Sequence, residues 1–339
     1  MKRRFLLLVF SAMFLTLAVP ALAHEAYVLP ASEFQPGLHV YSTNPFAPLI
    51  DPSHWKLFLL ISVLVAISYI LILWWSTTNV SDRFDRLVKK AGVIGPLVIR
   101  LAVSASFFYS AMSNVILGPE LPLAGLPLAG LFRFLLFLTS IMILTGTLTE
   151  IAAAIGIAMF IYISHHFGWY LMTYTNYFGE LLVLLLFGSR FLSIDRLVFG
   201  TKRWFQSLEK YKYLEVPIVR VLYGVALLYA GYTIKFAHQQ LSIDVYNQYH
   251  LINFFHASAA FIASGAGLAE LTIGLFVLLG FFMRWTVLIS LVFITLSIFY
   301  FQELLWPHFI LYGISFSLMI NSGDKFTIDH YMVPFFKRL

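Results

Sequence analysis

The chain has 339 residues, 60% of them hydrophobic and 11% charged, with a formal net charge of +6 and no cysteine. A soluble domain carries about a quarter charged residues, so lipid must be the solvent for most of this chain. The lack of cysteine excludes disulfides, thiolate metal sites and dithiol redox steps by the chain itself. Its basic residues gather in a few loops, which points to membrane topology rather than nucleic acid.

Residues 1–23 read as a secretory signal: Lys2, Arg3 and Arg4 are followed by an apolar run from Phe5 to Val19 and by Ala21-Leu22-Ala23, a small-residue cleavage site. An uncleaved anchor is the alternative. Cleavage makes His24 the mature N-terminus and leaves 24–54 outside the membrane, a stretch with Glu25, Glu33 and Asp51 and no Lys or Arg. Spans are predicted near 55–76, 93–117, 126–147, 150–167, 171–189, 214–236, 257–280, 282–301 and 303–320, each close to the ~20 residues that cross the hydrocarbon. The loop after the first span holds Arg83, Arg86, Lys89 and Lys90, and the loop after the fifth holds Arg190, Arg196, Lys202, Arg203, Lys210 and Lys212. Arg284 follows the seventh span, and Lys325, Lys337 and Arg338 follow the ninth. The opposite loops, 118–125, 168–170 and 237–256, have no Lys or Arg. The positive-inside rule then puts the mature N-terminus outside and the C-terminus in the cytoplasm, in the cytoplasmic membrane.

An internal repeat follows from residues 134 positions apart: Ser193-Ile194-Asp195 against Thr327-Ile328-Asp329, Gly146 against Gly280, and Gly179 against Gly313. Arg100 and Arg220 open the two copies, 120 positions apart. The expected fold is an all-α polytopic membrane protein with a leading helix and two parallel four-helix repeats. The domains are signal 1–23, extracytoplasmic segment 24–54, leading helix and cytoplasmic loop 55–92, repeat 93–213, and repeat 214–339 with the cytoplasmic tail.

At these residues the chain resembles the DoxX family of four-helix membrane proteins, the second copy more closely. Arg220 with "YAGYTIK" is similar to the family's first helix, and "AELTIGLFVLLGFFMRWTVL", with Glu270, Gly274, Gly280 and Arg284, is similar to its second helix and turn. "FLSIDRL" and "FTIDHY" resemble its closing segment. Lys235 lies one residue later than the pattern expects. In the first copy Asn114 replaces the Lys, Leu136 the Glu and Glu150 the Arg, so that copy reads as degenerate for function. The resemblance implies a component of, or beside, a quinone-linked oxidoreductase or oxidative-stress system. The implied partners are the bilayer and redox-protein subunits, and nothing points to nucleic acid.

Ionisable residues inside a membrane are costly and mark functional sites. Glu270, Arg220 and Lys235 are the polar-site candidates of the second copy, and Glu180 and Arg100 those of the first. Glu270 and Arg220 lie at similar depths, which suits an ion pair locking adjacent helices, the polar floor of a ligand pocket, or both. Glu180 and Arg100 offer a similar pairing. A quinone is compatible with this polar floor and with the aromatic walls offered by Tyr174, Tyr177, Tyr229 and Tyr232. Nine of the ten histidines fall on the predicted outer side. Loops that exclude Lys and Arg but tolerate His explain this; outer-face metal binding through His24, His165 and His256 is the sharper reading. Phosphate-loop, dinucleotide and H-E-x-x-H motifs are absent. The alternatives to a quinone-linked role are a membrane scaffold or assembly partner, and a small-solute or metal transporter.

Overall fold

The computed structural model describes residues 25–188, 192–200, 206–321 and 324–337. The signal segment 1–23 and His24 lie outside the described residues. Among the described residues the regular secondary structure is helical, save one isolated bridge between Val115 and Pro122. Apolar helices follow each predicted span: α1 (Trp55–Ser76), then, after the amphipathic α2 (Asn79–Lys90), α3 (Gly95–Met112), α4 (Ala129–Thr145), α5 (Thr149–Phe167) and α6 (Thr175–Phe187). A short α7 (Ile194–Phe199) leads to α8 (Glu215–Tyr232), α9 (Gln239–Gln248), α10 (Ala259–Leu279), α11 (Met283–Phe301), α12 (Phe309–Ile320) and the tail helix α13 (Ile328–Phe336). Among the described residues six helical runs are long and apolar enough to cross a membrane, and Ala129–Thr145 and Trp306–Ile320 are shorter apolar helices. The run Thr149–Phe187 contains two helices, α5 and α6, because the chain turns at Gly168 with φ +57°. In lipid only such internally hydrogen-bonded segments satisfy their backbone groups.

The two halves repeat their contacts. Asp195 accepts from Leu148 N and Thr149 N at 2.8 and 3.2 Å, while Asp329 accepts from Phe282 N and Met283 N at 2.7 and 3.0 Å. Each aspartate thereby caps the start of its half's third helix. Arg100 Nη2 donates to Leu192 O at 2.6 Å, and Arg220 Nη2 to Phe326 O at 3.1 Å. Gly146 and Gly280 both hold φ +67°, the left-handed conformation that ends α4 and α10. The halves pack α6 on α8 and α12 on α3. Gly179 lies against Leu222, and Gly313 sits so close to Ala102 that a Cβ would strike it. Small residues let membrane helices approach where no hydrophobic force drives them together.

Two faces result. On the basic face, Lys337 Nζ donates to Asp82 at 2.5 Å and Arg284 pairs with Asp85, tying α13 and α11 to α2. On the opposite, N-terminal face, residues 25–54 lie across both halves. Gln35 Nε2 donates to Glu120 O at 3.2 Å, Ser42 N to Ala237 O at 2.8 Å, and His54 and Ser258 share a hydrogen bond at 3.1 Å. The leading helix α1 buries only Ile72. His54 and Phe261 hold it at one end, and Tyr69 with Phe276 and Trp75 with Trp285 at the other. Between these contacts lies an apolar slot of about 300 Å³ lined by Ile61, Val65, Gly265 and Thr272 among others.

Candidate functional site

Buried polar groups converge beneath the N-terminal segment. Just past α8 the chain makes one π-helical turn, Thr233–Ala237, which carries Lys235 into the interior. Such single turns occur often at functional sites. Lys235 Nζ donates to Glu25 Oε1 and lies 5.6 Å from the Tyr246 ring centre. Glu25 also accepts from Ser242 Oγ at 2.6 Å. Glu25 and Lys235 are each 1% exposed, so this is a fully desolvated pair joining the N-terminal segment to the second half.

Glu270 lies on α10 beside Gly231 and interacts electrostatically with Lys235 and Glu25. Its side chain lines a cavity of about 50 Å³ between the two halves. Tyr27 from the N-terminal segment lines it too, with Asn176 and Tyr177 of α6, Tyr174 just before it, and Ala226, Leu227, Ile310 and Leu311 as apolar walls. The Asn176 Oδ1 is buried and has no hydrogen-bond partner. Tyr27 OH sits 3.3 Å from Tyr174 OH, and its ring meets His308 edge-on at 5.1 Å. His308 in turn pairs with Glu303 at 3.0 Å. Tyr174 and His308 are 134 positions apart and each engages a buried glutamate, Glu120 and Glu303 respectively. Burial raises the Glu120 carboxyl to about 7 against the hydrogen bonds from Tyr174, its own backbone and Tyr170. Burial, and then the nearby Glu120, raises Tyr27 well above its ordinary value and keeps it a neutral phenol.

The sequence candidates therefore separate. Glu270 and Lys235 come together, but Arg220 does not join them. Its guanidinium donates to Asp324 at 3.1 Å and to the carbonyls of Val277, Leu278 and Phe326. The expected Glu270–Arg220 ion pair is not formed, because Asp324, two carbonyls at the end of α10 and the loop carbonyl of Phe326 lie closer and use the donors. Arg100 likewise serves the basic face through Leu192 O. The expected pairing with Glu180 is absent: both Glu180 oxygens are buried without a hydrogen-bond partner. Glu180 is fully buried and lies outside the cavity wall. The first half is not idle, since it supplies Tyr174, Asn176 and Tyr177. His165 and His256 are exposed. Among the described residues no group of three or more His, Asp or Glu side chains is arranged to hold a metal ion.

Sequence reasoning missed Glu120 and the roles of Glu25 and Tyr27. Glu120 is the one charged residue of a loop, 113–128, that is otherwise mostly apolar, and a single glutamate there carries no mark of its partners. The one available signal was the absence of any Lys or Arg in the same loops, which leaves such carboxylates to find another partner.

The fold and this buried cluster define a polytopic α-helical membrane protein with a polar cavity enclosed between two halves. Residues 216–303 match the DoxX family model, so this segment of the second half is similar to that family. No curated protein and no solved structure matches the chain.

Proposed function

We propose that the chain is two tandem DoxX-like four-helix copies behind a leading helix. In this reading it resides in the cytoplasmic membrane with the N-terminal face outside, and serves a quinone-linked oxidoreductase system by receiving a quinone at the cavity between the copies. The observation that carries this reading is Glu270 lining that cavity beside the unpartnered Asn176 Oδ1. A buried acceptor without a donor costs about 1–3 kcal/mol, which a ligand hydroxyl repays. Lys235 faces two carboxylates, Glu25 and Glu270, so a proton or a ligand donor is needed to balance the cluster.

The residues fit the oxygen-bearing edge of a quinone or quinol. Glu270, Asn176 and Tyr174 would hold it, and Leu227, Ile310 and Leu311 would flank it. The group itself supplies two-electron, two-proton redox chemistry when bound. At about 50 Å³ the cavity has room for one or two waters, so seating a whole ring requires Tyr27 to swing out.

The test is binding of duroquinone to purified full-length protein in detergent. The expected result is saturable binding that weakens about tenfold or more in Glu270→Gln, a loss of the order of one charge-assisted hydrogen bond. Binding unchanged in Glu270→Gln, or no binding by folded protein, would overturn the reading and favour a scaffold role.

A further inference from the structure

Behind the Tyr174 wall of the cavity lies another carboxyl, Glu120, in the loop between α3 and α4. It is 2% exposed. Its Oε1 accepts from Tyr170 OH at 3.0 Å and from Tyr174 OH, while its Oε2 is buried with no hydrogen-bond partner. Gly118 holds the pair closely, since a Cβ there would meet both the Tyr174 hydroxyl and the Glu120 carboxyl. The groups facing Glu120 are Tyr27 and Gln35 from the N-terminal segment and Tyr170 and Tyr174 from the turn before α6. None of these is a cation. Glu25 and Glu303 are the next carboxylates, acting on Tyr170 and Tyr27 respectively, and His308 lies on the far side of Tyr27.

This geometry couples a proton outside the cavity to the hydrogen-bonding sense of its wall. When Glu120 is ionised it must accept, so the Tyr174 hydroxyl points at it and offers the cavity only oxygen lone pairs. When Glu120 is protonated it can itself donate to Tyr174, and the tyrosine O–H is free to turn and donate into the cavity. An acceptor wall suits a ligand hydroxyl, and a donor wall suits a ligand carbonyl. We infer that Glu120 is a specificity-determining residue that, through Tyr174, makes the cavity prefer the hydroxyl form of its ligand when ionised and the carbonyl form when protonated. Glu120 touches no ligand, so its part is to position Tyr174. The inference rests on the proposed quinone site. Burial places the Glu120 carboxyl at about 7, so the change falls near neutral pH.

The experiment measures duroquinol and duroquinone affinities for the purified full-length protein at about pH 6 and about pH 8. In the wild type the ratio favouring duroquinol should rise roughly tenfold across that interval, as expected when a single group near neutrality titrates. In Glu120→Gln and in Tyr174→Phe the rise should shrink, leaving only what Glu270 contributes directly, while in His308→Gln it should persist in full. A second readout needs no ligand: in the infrared difference between wild type and Glu120→Gln, a protonated-carboxyl band belonging to Glu120 should titrate near neutrality. If both forms bind but the ratio is flat in the wild type, or rises equally in Glu120→Gln, the inference falls and the site stands. If neither form binds, the site and the inference fall together. An infrared band unaffected by Glu120→Gln would overturn the inference alone.

Discussion

At the scale of residues, Lys235 carries the cluster. It reaches Glu25 only because a π-helical turn inserts at the end of α8, and it is buried to 1% exposure. Removing one partner of a buried pair costs about 3–5 kcal/mol because the other charge is stranded, whereas replacing both is often neutral. Lys235→Met should therefore lower the melting temperature in detergent sharply, and the double variant Glu25→Gln with Lys235→Met should regain most of it. A Lys235→Met protein as stable as the wild type would mean the pair does not anchor the N-terminal segment. The sequence grouped Lys235 with Glu270 as polar-site candidates because ionisable residues in lipid need a partner, but it paired Glu270 with Arg220. Glu25 and Glu120 could not be grouped so. Their burial depends on the N-terminal segment folding back across both halves, and no periodicity records that.

At the scale of elements, the turn between the second and third helices of each half is the most legible feature. A glycine in the left-handed conformation, a two-residue bend and an aspartate 49 positions after the glycine recur at Gly146 with Asp195 and at Gly280 with Asp329. Asp329 accepts two backbone N–H groups at the start of α11, and Arg220 is bonded to the same loop through Phe326 O. Asp329→Ala leaves both donors open and should cost about 1–3 kcal/mol, read as a fall in the thermal midpoint; Asp195→Ala should show a fall of similar size. A neutral Asp329→Ala would remove the cap from the account. The Glu270–Arg220 expectation failed at this same scale. Depth along two helices shows which residues could meet, but not that the ends of α10 and the tail offer Arg220 nearer acceptors.

At the scale of the whole molecule, the helices and the alternating basic loops were legible because lipid leaves few ways to satisfy a backbone. The placement of the site was not, because it depends on how the halves face one another. Gly179 and Gly313 let α6 meet α8 and α12 meet α3, and the enclosed space lies between those contacts. Its wall consequently mixes Tyr174 and Asn176 of the first half with Glu270 and Leu311 of the second, and Tyr27 comes from neither. The apolar slot beside α1 lies against other residues of α10, Gly265 and Thr272 among them, and is the rival location for a quinone. The deciding measurement is photolabelling of the purified protein with an azidoquinone, followed by mass spectrometry of the labelled peptides. The account predicts label on peptides carrying Tyr27, Tyr174 or Leu311, suppressed by excess duroquinone. Label confined to the slot residues Val65 and Gly265, or label that excess duroquinone does not suppress, would contradict it.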